Sequence, residues 1–289
     1  MEALVWEGEP PELRAPILVC AFRGWNDAAG SATAALQSVA TSLDAELIAS
    51  VDPEEFYDFQ AARPTITLTE GQTRNIEWPH NHLIAAEAPG AERDLVLLDG
   101  TEPNLKWRTF SEGIADGAER LGVEMVITLG ALIAEVAHTL PVPITGLASD
   151  EDLVEELDLV RSNYEGPTGI VGVIHDACRR RGIASASLWA AVPHYVAAVP
   201  NPKAALALLR RLEGLTGIAV DAAELEEETE SYERQVGRAV AENPEIEELV
   251  QRIEEEQSEQ FSEGEDVPSA DALARDFQRF LRQRGDEQS

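Results

Sequence analysis

Five residues of contrasting chemistry follow the apolar run 16–22 of the sequence: Arg23, Gly24, Trp25, Asn26 and Asp27. Arg23 would supply a cation, Trp25 a flat ring for stacking, and Asn26 an amide that both donates and accepts hydrogen bonds. Gly24 permits a tight turn after a strand, and Asp27 stands where the N-cap of a following helix belongs. Because ligands of open α/β folds bind where strands end, this segment is a candidate ligand site. The structural alternative is that Trp25 covers the sheet edge and Asn26 only fixes the turn.

Carboxylates and a glycine follow three further apolar runs, at Asp52 and Glu54, at Glu102 and at Gly130. A carboxylate at a strand exit suits general acid–base catalysis when it is desolvated. Asp52 begins the sequence Asp-Pro-Glu-Glu, which is also a common helix start, so helix capping is the favoured role there. Since the exits of parallel strands lie at one edge of a sheet, we expect these residues to form one pocket with the segment 23–27.

Short apolar runs and amphipathic helices alternate around these residues. Residues 17–22 predict a buried strand, and residues 28–43 predict a helix with one apolar face. The runs 94–99 and 123–129, with a helix between them, form a βαβ unit, which requires parallel strands. Residues 64–87 instead predict an antiparallel meander. We therefore expect an α/β fold with three α/β/α layers and a mixed, partly parallel sheet.

The C-terminal quarter of the sequence differs in composition from the rest. We assign residues 1–220 to an α/β core domain and residues 221–289 to an acidic helical C-terminal extension. The extension has no strand-like run and shows three helical patterns with narrow apolar stripes, the last of them around Phe277. Such stripes predict helices that dock on another surface. We expect a mobile linker at 258–269.

The chain is very acidic, with 54 Asp and Glu against 22 Lys and Arg in 289 residues and a formal net charge of −32. Such a surface repels a phosphate backbone and an anionic membrane leaflet, so we expect neither nucleic acid nor membrane as a partner. Cys20 and Cys178 are the only cysteines and cannot build a disulfide framework, which indicates a reducing cytoplasm. The acidity is either solubilising surface charge or an adaptation to high salt.

Several chemistries lack the residues that they need. The sequence has no Gly-x-Ser-x-Gly elbow and no His-Glu-x-x-His motif, so classical hydrolase chemistry loses most of its support. His80 and His82 have no third ligand nearby in sequence, and a solvated pair in an exposed hairpin is the favoured interpretation. The spacing of Gly166 and Gly169 fits neither a dinucleotide-binding nor a phosphate-binding loop, so close helix packing is the favoured role. We expect no metal and no cofactor.

Six short motifs occur together in this sequence. They are Gly24-Trp25-Asn26-Asp27-Ala28, Asp52-Pro53-Glu54-Glu55-Phe56-Tyr57-Asp58-Phe59, Glu102-Pro103, Gly130-Ala131-Leu132, Tyr164-Glu165-Gly166-Pro167-Thr168-Gly169 and Leu188-Trp189-Ala190-Ala191-Val192-Pro193-His194-Tyr195. Their combination, over about residues 3–240, is specific. On these motifs the chain resembles the actinobacterial branch of the proteasome assembly chaperone two family.

The resemblance implies a phosphorylase/hydrolase-like α/β/α domain that self-associates and carries an added helical C-terminus. It implies a homo-oligomer, with a trimer as one candidate arrangement, and proteasome subunits as candidate partners. Some relatives dock on the proteasome through a C-terminal tail of a hydrophobic residue, a tyrosine and a final residue. This sequence ends in Asp286-Glu287-Gln288-Ser289 and its last tyrosine is Tyr232, so it departs from that pattern.

Three functions stay open from the sequence. The first is a protein-interaction or assembly-chaperone-like protein without catalysis. The second is an enzyme or binder that acts on a small polar, nucleoside-like metabolite at the strand edge, although no phosphate cradle is found. The third is a docking arm, formed by the acidic residues 221–289, for a basic partner. The first is favoured because of the resemblance and because no catalytic set is complete.

Overall fold

A computed structural model describes residues 3–69, 73–148 and 165–262, together with positions 154, 160 and 161. The strands in these residues are β1 (Leu4–Trp6), β2 (Ile17–Arg23), β3 (Glu46–Val51), β4 (Thr65–Thr69), β5 (Thr73–Glu77), β6 (Asn81–Ala86), β7 (Leu95–Thr101), β8 (Met125–Ala134), β9 (Ile144–Ala148), β10 (Val160–Arg161) and β11 (Ala184–Pro193). The α-helices with described bounds are α1 (Ser31–Ser42), α2 (Pro53–Phe56), α3 (Trp107–Arg120), α4 (Ile170–Arg181), α5 (Pro202–Thr216), α6 (Ala223–Ala241) and α7 (Pro244–Ser262).

Nine strands form the main sheet, in the order β1-β3-β6-β7-β2-β8-β11-β9-β10. Four neighbouring strands at its centre, β7, β2, β8 and β11, run parallel to one another. The strands β1, β3 and β6 extend the sheet beyond β7 with antiparallel pairing, and β9 pairs antiparallel with β11. The prediction of a mixed, partly parallel sheet is confirmed.

The central strand β2 is apolar from Ile17 to Phe22, as a strand must be when helices cover both faces of its sheet. Ile17 and Val19 belong to one core with α1 and α5, whereas Leu18 and Phe22 belong to a second core with α3 and α4. Cys20 is buried as a free thiol in the second core. The predicted α/β/α layering is therefore confirmed, and the C-terminal ends of the parallel strands meet at one edge.

The region 64–87 departs from the predicted meander. Strands β4 and β5 pair with each other as a separate two-stranded sheet, whereas β6 joins the main sheet between β3 and β7. His82 on β6 is half-buried, and its ring stacks on that of His80 with 4.3 Å between centroids. The expectation that the two histidines lie in an exposed hairpin is therefore wrong, although the His80 side chain is still 38% exposed. Local alternation could not reveal this, because the partners of a strand lie far away in sequence.

Two predicted boundaries also shift. Strand β8 ends at Ala134, so Gly130 lies within the strand and not in a turn after it. The reason is that β8 stays paired with β11 up to Ala134 and Pro193. Helix α1 begins at Ser31 and not at Ala28, because the positive φ angles of the two preceding residues interrupt the helical path.

Helices α6 and α7 pack on the segments that follow β8 and β11. Their apolar stripes form a small core together with partly buried Tyr195 and the segment after β8. The buried members of this core are Ala137, Tyr232, Val236, Val240, Val250 and Ile253. The first two helical patterns predicted for the extension are thus confirmed, and the pattern around Phe277 lies outside the described residues. Residues 258–262 of the expected mobile linker belong to helix α7. Residues 263–269, the rest of that linker, lie outside the described residues.

The start of the extension also contacts the main body, because Leu225 on α6 belongs to the core with α1 and α5. The division of the chain at residue 221 stays a prediction. None of the helices in the described part of the chain combines the length and apolar character needed to span a bilayer.

Candidate functional site

The turn after β2 is held by its own backbone and by the neighbouring strand. Gly24 has a φ of +133°, which glycine adopts readily and L residues adopt rarely. The Asp27 N–H donates to the Gly24 carbonyl at 3.2 Å, and the Ala131 N–H on β8 donates to the Asn26 carbonyl at 2.8 Å. As a result Asn26 is only 1% exposed, while the neighbouring Trp25 is 38% exposed.

Glu102, the first residue after β7, connects three segments of the chain. Its Oε1 accepts hydrogen bonds from Asn26 Nδ2 at 3.2 Å and from the Ile170 N–H, at the start of α4, at 2.8 Å. The Glu102 N–H in turn donates to the Arg23 carbonyl at 2.9 Å. A carboxylate is favourable at a helix N-terminus because the unpaired N–H groups and the helix dipole both attract negative charge. We call this arrangement of Gly24, Asn26, Glu102, Gly169 and Ile170 the Glu102 junction.

The start of α4 approaches Asn26 so closely that a side chain has no room. A Cβ placed on Gly169 would lie 2.2 Å from Asn26 Nδ2 and 2.7 Å from its Oδ1. The close packing predicted for this glycine is therefore confirmed. Asn26 Oδ1 is itself buried and has no hydrogen-bond partner.

Arg23 lies at the same edge but is paired within the fold. Its guanidinium donates to the two carboxylate oxygens of Asp99 at 2.9 and 3.2 Å, and Gln37 donates to Asp99 at 3.2 Å. Burial alone would raise the pKa of Asp99, but two effects outweigh burial and lower that pKa to about 2. They are the nearby His80, whose Nε2 lies 4.0 Å from Asp99 Oδ2, and the hydrogen bonds from Arg23 and Gln37. Burial and the neighbouring His80 lower the pKa of His82.

The carboxylate of Asp27 bonds the first turn of α1, although Gly30 and not Asp27 is the N-cap residue of that helix. Its Oδ1 accepts from the Ala32 N–H at 2.7 Å, and its Oδ2 accepts from Thr33 Oγ1 at 2.6 Å. Burial raises the pKa of Asp27 despite these hydrogen bonds. The residue therefore stabilises the first turn of the helix from inside the fold.

Asp52 and Glu54 lie at the exposed N-terminus of α2. Asp52 Oδ1 accepts a hydrogen bond from the Glu54 N–H at 3.0 Å, which is the capping role that the sequence favours. Among the residues that the structure describes, neither side chain hydrogen-bonds to the Glu102 junction. Helix α2 still lies near that edge, because the Asn104 and Leu105 N–H groups both donate to the Phe56 carbonyl at 3.0 Å.

Gly130 makes room for a neighbouring ring. It is paired with Trp189 in the register of β8 and β11, and a Cβ on Gly130 would lie 2.6 Å from Trp189 Cε3. The glycine thus allows the indole to lie against the backbone of β8. This is a packing role on a strand, and the ligand-site role expected of Gly130 stays a prediction.

Sequence reasoning missed two buried polar clusters near this edge. Asn81 is completely buried and donates to the Tyr57 hydroxyl, which donates to the Thr101 carbonyl at 2.5 Å. Under α4, Thr128 Oγ1 lies 3.0 Å from His175 Nε2 and 2.7 Å from Ser187 Oγ. Burial raises the pKa of Tyr57 and lowers that of His175 to about 4.

The cluster of Thr128, His175 and Ser187 places hydroxyl groups next to a histidine, as a nucleophile and its base would be placed. Burial limits the chemistry that this cluster can perform. Thr128 is fully buried and Ser187 is 6% exposed, so their hydroxyl groups are shielded from solvent inside the fold. A neutral imidazole that bonds a hydroxyl inside the fold satisfies polar groups that would otherwise be costly to bury. We assign this cluster to the stability of the fold.

Polar side chains from the turn after β11, from α5 and from α7 hold the segment after β8. Tyr195 Oη accepts from the His138 N–H at 2.8 Å, and Lys203 Nζ donates to the His138 carbonyl at 2.7 Å. Lys203 also pairs with Glu233 on α6 at 2.7 Å, and the Ala137 N–H donates to Gln257 on α7 at 3.1 Å. These contacts place the extension over the segments that follow β8 and β11 at the strand edge.

The side chains that commonly bind metal ions are dispersed in the parts of the chain that are described. Within residues 3–69, 73–148 and 165–262, no three His, Cys, Asp or Glu side chains are grouped so that they could hold a metal ion. The candidate charged residues instead contact the fold itself: Arg23 pairs with Asp99, Asp27 bonds the first turn of α1, and Glu102 binds Asn26 and α4. Fold and site together define a three-layer α/β/α protein whose strand-edge polar groups stabilise its own structure.

The chain belongs to the PAC2 family, whose model matches residues 21–240. A PAC2 family protein from Streptomyces avermitilis is 44% identical, with a TM-score of 0.75 over 81% of this chain and 99% of that one. A proteasome-assembly chaperone homologue from Mycobacterium tuberculosis is 43% identical, with a TM-score of 0.74 over 81% of this chain and 99% of that one. A search of curated proteins gives no match.

The family that the six motifs indicate is thereby confirmed, and these two relatives are actinobacterial. A protein of unknown function from Mycobacterium tuberculosis is only 26% identical but has a TM-score of 0.84 and covers 96% of both chains. The family match ends at residue 240, near the end of α6, so α7 lies outside it.

Replacing Gly169 by alanine should lower the free energy of unfolding by about 1–3 kcal/mol, because the new methyl group overlaps the Asn26 amide. Gly214→Ala on α5 is the matched control. No atom lies within 4 Å of the Cβ position of Gly214, so this helical substitution should stabilise by up to about 1 kcal/mol. Urea unfolding of both variants measures the difference. Equal effects of the two substitutions would contradict the close contact at the Glu102 junction.

Asp99→Asn should remove a pH-dependent part of the stability. Because the folded protein holds the pKa of Asp99 at about 2, below its ordinary 3.8, ionised Asp99 stabilises the fold above about pH 4. That contribution, about 2 kcal/mol, is lost as the pH falls towards 2. The gap in unfolding free energy between wild type and Asp99→Asn should therefore shrink from pH 4 to pH 2. A gap that stays constant over this range would refute the role of Arg23 and His80.

Proposed function

We propose that this chain is a non-catalytic interaction protein that assists the assembly of proteasome subunits, and that it acts in the cytoplasm as a homo-oligomer. Membership of the PAC2 family supports the first part, together with the 43% identity to a proteasome-assembly chaperone homologue. Two buried free thiols are consistent with a reducing compartment. The resemblance to self-associating relatives supports the homo-oligomer, with a trimer as one candidate arrangement.

The observation that carries the proposal is the internal use of the polar groups at the strand edge. A general acid or base must exchange a proton with a substrate within hydrogen-bond reach. One oxygen of Glu102 already accepts from both Asn26 and Ile170, and Asp99 is held ionised by its partners. These groups therefore support a stable scaffold, and a function exerted through the protein surface fits them better than catalysis.

Binding of a small polar, nucleoside-like metabolite at the strand edge is the second candidate. It would use the Arg23–Asp27 turn with Glu102, where the buried Asn26 Oδ1 lacks a partner next to the exposed Trp25 ring. A ligand donor would satisfy this oxygen. The candidate ranks second because Asp52 and Glu54 lie exposed on α2, and because the Glu102 carboxylate is already bound within the fold.

The proposal is tested by mixing the purified chain with proteasome subunits of the same organism. We expect a complex of fixed stoichiometry in size-exclusion chromatography, and a yield of assembled particles that changes at least two-fold when the chain is present. Because an acidic protein binds basic surfaces unspecifically, the complex should be measured again at about 1 M salt, where the Debye length is about 3 Å. A specific complex persists there.

Absence of a complex, or a complex that forms only at low salt, would contradict the assembly role. A thermal-shift screen of nucleosides distinguishes the second candidate. A nucleoside that raises the melting temperature of the wild type but not of the Trp25→Ala, Asn26→Ala double variant would assign a ligand to the strand edge.

A further inference from the structure

The hairpin formed by β4 and β5 is the most exposed apolar element of the described chain. Ile66 is 60% exposed, Leu68 64% and Ile76 49%. The hairpin is a sheet of its own and does not pair with the nine-stranded sheet. An isolated two-stranded hairpin is only marginally stable in water, so a hairpin of this kind gains from a surface that covers it.

The three apolar side chains lie on one face of the hairpin. Ile66 is paired with Ile76, and Leu68 follows two residues after Ile66, so strand alternation puts all three on the same side. The opposite face is polar, and there Thr67 Oγ1 donates to Glu77 Oε1 at 3.0 Å. We call the side with Ile66, Leu68 and Ile76 the apolar hairpin face. Its amphipathic pattern is that of a strand pair with one buried side, yet here that side is exposed.

The base of the hairpin adds an aromatic contact to this surface. Trp78 follows β5 and is 45% exposed, and its ring lies edge-on against that of Phe59 with 4.8 Å between centroids. Aromatic side chains that keep a large exposed area are common in protein interfaces. Trp78 therefore extends the exposed apolar surface from the hairpin towards the main body.

The described arms of the hairpin carry no net charge, in contrast to the chain as a whole. The chain has 54 acids and 22 bases, whereas the two described arms carry one of each, Arg74 and Glu77. Arg74 is paired with Leu68 and so lies on the apolar hairpin face, while Glu77 lies on the polar one. The exposed apolar surface thus carries a cation in a molecule whose net charge is −32. It is complementary to an acidic surface with apolar side chains.

We propose that the apolar hairpin face is the surface through which one copy of this chain packs on a second copy. The inference rests on the self-association in the proposed function. Two copies with a net charge of −32 repel each other over most of their surfaces, so a stable contact needs a region without excess acid. The apolar hairpin face meets that condition, and its Arg74 can pair with the acid-rich surface of the next copy. Such head-to-tail contacts close into a ring when the rotation between copies permits.

The test compares two double variants of the hairpin by sedimentation velocity over about two orders of magnitude in concentration. Ile66→Ser, Leu68→Ser removes the apolar hairpin face, whereas Thr65→Ser, Thr67→Ser places the same residues on the polar face. The first should raise the dissociation constant at least about ten-fold, since apolar anchors dominate interfaces, and the second should leave it within about two-fold. Both variants should keep the circular dichroism spectrum of the wild type.

Equal dissociation constants for the two variants would overturn the inference while leaving self-association intact. A wild type that stays monomeric throughout would overturn both. Leu68→Cys provides an independent measurement, because Cys20 and Cys178 are buried and the new thiol is selectively labelled. An environment-sensitive dye at position 68 should lose its blue-shifted emission on dilution, whereas the same dye at Leu105→Cys, a comparably exposed site, should not. Emission at position 68 that is independent of concentration would contradict the contact.

Discussion

The carboxylate of Glu102 fixes the strand edge of this protein. One of its oxygens accepts two hydrogen bonds. One comes from the side-chain amide of Asn26, in the turn after β2, and the other from the first N–H of α4. Two glycines make this close approach of the three segments possible. A Cβ on Gly24 would lie 3.2 Å from Glu102 Cβ, and a Cβ on Gly169 would overlap Asn26. A buried amide that loses such partners is costly, so the three segments are held in one arrangement.

The other half of the strand edge depends on this arrangement and on the C-terminal helices. Helix α4, which starts at the Glu102 junction, covers one face of the sheet together with α3. At β8 and β11 the covering elements are α6 and α7. Gln257 on α7 accepts a hydrogen bond from the Ala137 N–H, and Glu233 on α6 pairs with Lys203 on α5, which donates to the His138 carbonyl. The edge at which α/β enzymes place their ligands is therefore occupied largely by contacts within the fold. This is why we place the function of this PAC2 family protein on its surface.

Much of the fold follows from local sequence patterns. Strand β2 and the unit β7–α3–β8 are predictable because short apolar runs bounded by turn residues and separated by amphipathic helices are typical of strands covered on both faces. The hydrogen bonds of Asp27 and Asp52 to the helix that follows each are also predictable, because such bonds join residues close together in sequence. The membership of β6 in the main sheet and the isolation of the hairpin are not, since both depend on distant partners.

The candidate site was predictable only in part, for the same reason. The sequence indicates that polar residues follow the strands, but it cannot indicate that Asn26 meets Glu102 and Gly169, or that Arg23 meets Asp99. The contacts of His138 with Tyr195 and Lys203 carry no local signal at all, because they join the segment after β8 to a loop and a helix far along the chain. Sequence patterns identified the edge, and three-dimensional packing determines what its side chains contact.

The conservative variant Glu102→Gln offers the most direct test, because its amide oxygen can accept the same two hydrogen bonds but carries no charge, so that it accepts them less strongly. If the strand edge is structural, the free energy of unfolding falls by about 1–3 kcal/mol, while the folded variant binds proteasome subunits with the dissociation constant of the wild type. Unchanged stability together with a loss of binding would show that Glu102 acts on a ligand or partner, and would contradict a purely structural strand edge.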